Sequence, residues 1–144
     1  MNDYRVLRVV LDTNVLLSAC WKADGNEARV VRMVREGRIE MWITAEVMAE
    51  YREVLFREKF AAHHEAARGL LEEVAARALV CAPTERLAVA RDPDDDRLLE
   101  CALAAGAAYL VTGNLRDFPA EWGATRVVNA RRFLEEAVKE PLLD

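Results

Sequence analysis

Asp12, Glu50, Asp95 and Asp117, together with the amide of Asn114, are the side chains in this sequence whose types and positions point to chemistry. All of them offer oxygen donors. Hard divalent cations such as Mg²⁺ and Mn²⁺ prefer carboxylate and carbonyl oxygens. Three or four carboxylates in one pocket repel one another, and a divalent ion offsets that cost. It can also activate water and stabilise charge on a transferring phosphoryl group. An acid cluster of this kind therefore fits metal-assisted phosphodiester hydrolysis. The adjacent pair His63 and His64 reads as surface rather than a zinc site, since no further ligand stands at a suitable spacing.

Each acid also has an ordinary reading. Asp12, followed by Thr13 and Asn14, fits a turn or a helix cap as well as it fits chemistry. Glu50 taken alone reads as a solvated helix residue, as do Glu46 and Glu53. Asp94, Asp95 and Asp96 could serve a helix dipole, at roughly 0.3–1 kcal/mol each, but one cap explains one Asp and three leave a surplus. Asn114 and Asp117 are three apart and share one side of a helical turn if a turn starts there. Asn114 would then cap the turn, with Asp117 near its amino end. Alternatively Asp117 faces the metal, because a charged oxygen binds a hard cation better, and Asn114 offers a neutral oxygen. Arg91, Arg97 and Arg116 flank the acids as phosphate contacts or as plain surface charge.

The elements that must position these groups follow from pattern. Val6 to Leu11 has the β-branched content of a buried strand and stops at Asp12. Val15 to Trp21 reads as a short helix, broken at Asp24-Gly25-Asn26, and Glu27 to Arg35 as a second, stopped by Gly37. Ile39 to Ile43 alternates as a strand. Thr44 caps a helix to about Arg57, with Val47, Met48, Tyr51, Val54 and Leu55 on one face. Phe60 to Leu79 reads as an alanine-rich helix. After Asp92-Pro93-Asp94-Asp95-Asp96 a helix with Leu98, Leu99, Ala102 and Leu103 inward runs to Gly106, and Cys101 joins that inward face. Tyr109 to Val111 and Arg126 to Val128 are strands, and Ala130 to Lys139 is the last helix, followed by Pro141. Strands alternating with helices predict a parallel sheet covered on both faces. Right-handed crossovers bring the carboxyl ends of its strands to one edge, where ligands of such sheets bind. The acids are expected at that edge.

At 144 residues the chain is expected to be a single domain, 1–144, and 53% hydrophobic residues suffice for a core. A net charge of -5 supplies no global basic field, which argues against a protein that simply coats DNA. Cys20, Cys81 and Cys101 form no CxxC pair, as expected of a reduced, cytoplasmic protein. Asp3 and Arg5 stand where a signal peptide would be apolar, and no run is long enough to span a membrane. The alanine content of Phe60 to Leu79 suggests close helix approach between two copies, hence a homodimer.

Four stretches together carry a family resemblance. Val10-Leu11-Asp12-Thr13-Asn14-Val15-Leu16 resembles the opening motif of the PIN-domain nucleases, and Glu50-Tyr51-Arg52-Glu53-Val54-Leu55 resembles their second acidic motif. Asp92 to Asp96, with Leu98, Leu99 and Ala102, resembles the third. Leu110-Val111-Thr112-Gly113-Asn114, with Asp117-Phe118-Pro119 behind it, resembles the fourth. The matches run in order from about Val6 to Phe118. The resemblance implies a three-layer α/β/α sandwich around a central parallel sheet and a Mg²⁺- or Mn²⁺-dependent endoribonuclease. It is nearest to the toxins of bacterial toxin–antitoxin pairs similar to VapC, with RNA as substrate and an antitoxin protein as partner. By position Asp12, Glu50 and Asp95 carry over as metal-binding acids. Many members have Asp where this chain has Asn114, whereas others have Asn there and an acid three residues on, as at Asp117. Either residue completes the set.

Other functions are weighed against this one. A phosphatase that begins with Asp after its first strand usually needs a second Asp two residues on, where this chain has Asn14. A PIN nuclease of RNA processing, outside any toxin pair, shares all four motifs. A non-catalytic binding module keeps the fold but has no need of three acids.

Overall fold

The computed structural model describes residues 6–139. Its strands are β1 (Leu7–Leu11), β2 (Ile39–Ile43), β3 (Leu79–Val80), β4 (Tyr109–Val111), β5 (Glu121–Trp122) and β6 (Thr125–Val128). Its helices are α1 (Thr13–Trp21), α2 (Asn26–Arg35), α3 (Ala45–Leu55), α4 (His64–Arg77), α5 (Pro93–Ala105) and α6 (Ala130–Lys139). The strands form one sheet in the order β3-β2-β1-β4-β6-β5. All neighbours are parallel except β5, which runs antiparallel to β6 at the edge. Helices α1, α2, α4 and α6 pack against one another, while α5 crosses β1, β2 and β4 and reaches α3. The architecture is the expected α/β/α sandwich.

Central strand β1 shows why its sequence is a continuous apolar run. Val9, Val10 and Leu11 are wholly buried, since layers cover both faces of the sheet. Strand β2, one place outward, alternates: Ile39, Met41 and Ile43 are buried, Glu40 and Trp42 half-exposed. The cap at Thr44 forms as expected, its hydroxyl accepting from the Val47 N–H at 3.0 Å. Helix α5 stops at Gly106, whose φ of 62° is a left-handed C-cap.

Three expectations are corrected. The sheet is mixed rather than wholly parallel, because Glu121–Trp122 turns back on β6. A two-residue strand is too short to show a period, and only Gly123, at φ 60° in the two-residue turn, marks the hairpin. The helix expected over Phe60 to Leu79 is three pieces. A 3-10 turn spans Glu58–His63 with Phe60 off helical geometry, α4 follows, and Leu79–Val80 pairs with Trp42–Ile43. The helix ends at Arg77, and the parallel ladder with β2 takes Leu79 and Val80 out of it. Leu103 is 38% exposed, not inward, and Cys101 is fully buried as expected. Helix α4 turns Ala67, Leu70, Leu71 and Val74 into the chain's own core, while Ala66, Gly69, Ala75 and Ala76 stay exposed on its other side. The position of Pro141 lies outside the described residues.

Tyr51 ties α3 to the end of β1. It is fully buried, and its hydroxyl donates to the Leu11 carbonyl at 2.5 Å, one residue before Asp12. Burial pushes its phenol well above the ordinary value, so it stays a donor. Tyr51→Phe is expected to lose one buried hydrogen bond, about 1–2 kcal/mol, read as a lower urea midpoint with an unchanged slope.

Candidate active site

Register puts the first two site residues side by side. Leu11 of β1 lies opposite Val111 of β4, so Asp12 and Thr112 both leave the sheet at the same edge. The Asp12 N–H donates to the Val111 carbonyl at 2.9 Å, and the Thr112 hydroxyl donates to Asp12 Oδ2 at 2.8 Å. The Asn14 amide adds a longer contact to that same oxygen, 3.4 Å, and accepts from the Gly113 N–H at 2.9 Å. Thr112 Oγ1 also accepts from the Asn114 N–H at 2.9 Å. Asp12 is thus held from both strand ends. Burial pushes its carboxyl up, the Thr112 hydroxyl and the first N–H groups of α1 pull it down, and the charge of Asp117 pushes it up again.

The start of α5 distributes the run of acids by helical geometry. Asp92 caps the helix, accepting from the Asp94 N–H at 2.9 Å, with Pro93 in the first position that tolerates proline. Asp96 is buried and accepts from the N–H groups of Val89 and Ala90 at 3.0 and 2.8 Å, tying down the preceding loop. Asp95 is half-buried and carries the perturbed carboxyl. Its pKa is pushed up to about 7, first by burial and then by the charges of Asp12, Asp92, Asp117 and Asp94.

Glu50 lies farther along the same edge. It shares a cleft of about 320 Å³ with Glu46, Glu53, Asp94, Arg97 and Leu98. Burial raises its pKa, Asp94, Glu53 and Asp92 raise it further, and Arg57 lowers it. The acids therefore form two neighbouring groups, Asp12–Asp95–Asp117 and Glu50–Asp94, joined at the amino end of α5. Among the described residues no three of them converge closely enough to make a ready metal site. The set fits a divalent cation in donor type and in charge, but not yet in spacing.

Asn114 stands before a 3-10 turn, Leu115–Asp117, and closes it with its backbone carbonyl, which accepts from the Asp117 N–H at 3.0 Å; its side chain makes no cap bond. The Asp117 charge reaches both Asp12 and Asp95. The three arginines separate. Arg97 is committed to the Leu87 carbonyl at 2.8 Å and to buried Glu100 at 2.9 Å. Arg91 and Arg116 line an open groove of about 990 Å³ that also takes in Asp117, Phe118 and Trp122. Thr112 and Asn14 both contact Asp12, and the sequence alone assigned neither of them a role. The signal was a hydroxyl and an amide next to two strand ends, which gain meaning only when β1 and β4 are neighbours.

A family model described as the PIN domain matches residues 8–116. No curated protein matches the chain by sequence. Among solved structures, the chain is similar to VapBC2 from Rickettsia felis bound to a DNA fragment from their promoter, at TM-score 0.57 and 17% identity, covering 85% of this chain and 98% of the other. It is similar to VapBC-1 from nontypeable Haemophilus influenzae at TM-score 0.53 and 16% identity, covering 87% and 99%. The PIN domain of T. brucei RRP44 aligns at TM-score 0.51 and 15% identity, covering 92% and 82%. At these identities the structural likeness concerns the fold.

Proposed function

The chain belongs to the PIN domain family of nucleases, and we propose from that premise that it is a Mg²⁺- or Mn²⁺-dependent endoribonuclease acting as the toxin of a toxin–antitoxin pair. The observation that carries the reading is the mutual repulsion of Asp12, Asp95 and Asp117 at the ends of β1 and β4 and the start of α5. In this reading Asp12, Asp95 and Asp117 would hold the ion, Glu50 would add a carboxylate from the neighbouring group, and Asn114 would offer a neutral oxygen or position a water. A bound ion supplies activation of water and stabilisation of charge on the phosphodiester. Thr112 and Asn14 orient Asp12, as outer partners of metal ligands commonly do. Asp95, whose carboxyl is up at about 7 in the metal-free fold, would be drawn to its anion by a bound cation, so ion binding would release a proton there near neutral pH. The likeness to VapBC proteins motivates an antitoxin partner, sought as the product of a neighbouring small gene. The alternative is a PIN nuclease of RNA processing outside any toxin pair, since the family match is to the PIN domain as such. A homodimer is proposed as well, and light scattering at high concentration tests it: a monomer there rejects it.

The test is binding and cleavage together. Millimolar Mn²⁺ is expected to raise the melting temperature by mass action, since the unfolded chain has no such site. Asp12→Asn is expected to weaken that rise and to abolish Mn²⁺-dependent cleavage of RNA. An unchanged melting temperature, no heat of binding by calorimetry and no cleavage would leave a non-catalytic binding module as the better reading.

A further inference from the structure

We infer that the groove beside the acidic edge binds single-stranded RNA, with Trp122 as a stacking platform for an unpaired base and Arg91 and Arg116 as contacts to the flanking phosphates. The inference rests on the nuclease reading and names how its substrate is held.

The groove, about 990 Å³, is at the upper end of what small-molecule sites offer, roughly 300–1,000 Å³. Its walls come from the segment before α5 (Val89 to Arg91), the segment after β4 (Arg116 to Pro119) and Trp122 on the edge hairpin, with Leu99 of α5 between them. Asp117 belongs to this wall and also reaches Asp12 and Asp95 with its charge, so the groove runs directly into the acidic edge. Arg91 and Arg116 are two of six arginines among the described residues with no carboxylate partner, and they are the two of that six on this groove. Two unpaired guanidinium groups beside a run of acids, in a chain of net charge -5, give this groove the local positive charge that a polyanion needs.

Trp122 fits stacking because it is held before any ligand arrives. Thr125 lies opposite it in the β5–β6 ladder, Gly123 makes the two-residue turn at φ 60°, and a side chain at that glycine would stand 3.8 Å from Leu103 of α5. One part of the indole packs on the core and the rest faces the groove. A base stacks on such a ring whatever its identity, and only unpaired bases can do so. This selects single strands over duplex.

The experiment uses the whole chain and a fluorescently labelled single-stranded RNA oligonucleotide. Trp122→Ala is expected to raise KM for Mn²⁺-dependent cleavage about tenfold, and Trp122→Phe to restore most of it; a merely structural tryptophan would lower the melting temperature and leave KM in place. A second measurement needs no cleavage. In Trp21→Phe/Trp42→Phe protein with EDTA, the oligonucleotide is expected to quench the remaining indole, and a duplex of the same sequence to quench it far less. Binding by anisotropy without quenching, or a KM for Trp122→Ala within twofold of the parent, overturns the inference while leaving the nuclease reading intact. Quenching and binding with no cleavage in Mn²⁺ leave the groove in place and overturn the nuclease reading. Equal binding of duplex overturns the single-strand assignment.

Discussion

Asp95→Asn is expected to abolish RNA cleavage and, at the same time, to make the metal-free protein more stable at pH 8. The activity loss follows from removing a proposed ligand. Even outer partners of metal ligands cost about 10–100-fold when removed, so a loss of about a hundredfold or more is expected. The stability gain follows from charge. The Asp95 carboxyl ionises at about 7 in the fold instead of near 3.8, because burial and its acidic neighbours disfavour the anion. The folded protein therefore holds this proton over a range in which the unfolded chain has lost it. Stability from this group is complete below about pH 4, declines as the pH rises and is gone above about 7. The raised carboxyls of Asp12 and Glu50 act in the same direction. Unscreened, the Asp95 contribution would be at most about 4 kcal/mol; for a half-exposed group, screening reduces it to about 1 kcal/mol. Melting in EDTA should then show the parent losing stability between pH 5 and pH 8, and Asp95→Asn losing less of it, with a melting temperature about 2–4 °C above the parent at pH 8. A variant that melts lower than the parent at pH 8 would mean that Asp95 is a structural cap rather than a strained site residue.

Glu100→Ala is expected to be the most destabilising of these substitutions, by about 3 kcal/mol or more. The Glu100 side chain is 1% exposed and pairs with Arg97, itself 15% exposed, at 2.9 Å. It also accepts from the Leu87 N–H at 2.6 Å, and Arg86 stands 3.8 Å away on its other oxygen. Removing the carboxylate leaves the Arg97 guanidinium buried without its counter-charge, the costly way to break such a pair. The melting temperature should fall by about 6–12 °C. Arg97→Met combined with Glu100→Leu, which removes both charges and keeps the volume, should fall much less. The same residues hold the 87–90 loop: Arg97 donates to the Leu87 carbonyl, and Asp96 accepts from Val89 and Ala90. That loop forms one wall of the groove, so Glu100→Ala should also raise KM for RNA at temperatures where the variant is folded. A loss under about 1 kcal/mol would show that water reaches Arg97 freely.

Strand ends and helix starts are local events, and for that reason much of the site was legible from the amino acids. A β-branched run halting at Asp12, a Pro-led acidic helix start at Asp92 to Asp96 and a strand halting at Thr112 are each set by neighbours in the chain. Alternation of strand and helix then required one edge to collect them, and four ordered motifs named the family. What lies between elements was not legible. Three consecutive aspartates on α5 diverge by about 100° per residue, and only packing decides that Asp96 turns to the 89–90 backbone, Asp95 to Asp12 and Asp94 to Glu50. Arg91, Arg97 and Arg116 looked alike in sequence, yet the fold commits Arg97 to a buried carboxylate and leaves the other two along the groove. The β5 hairpin and its tryptophan carried no periodic signal because two residues make none. The pairing of Thr112 with Asp12 spans 100 positions and exists only because β1 and β4 are in parallel register. Residue type and local pattern determined which groups could do chemistry at this edge; register and helix rotation decided which of them face one another, because those depend on contacts between segments that are remote along the chain.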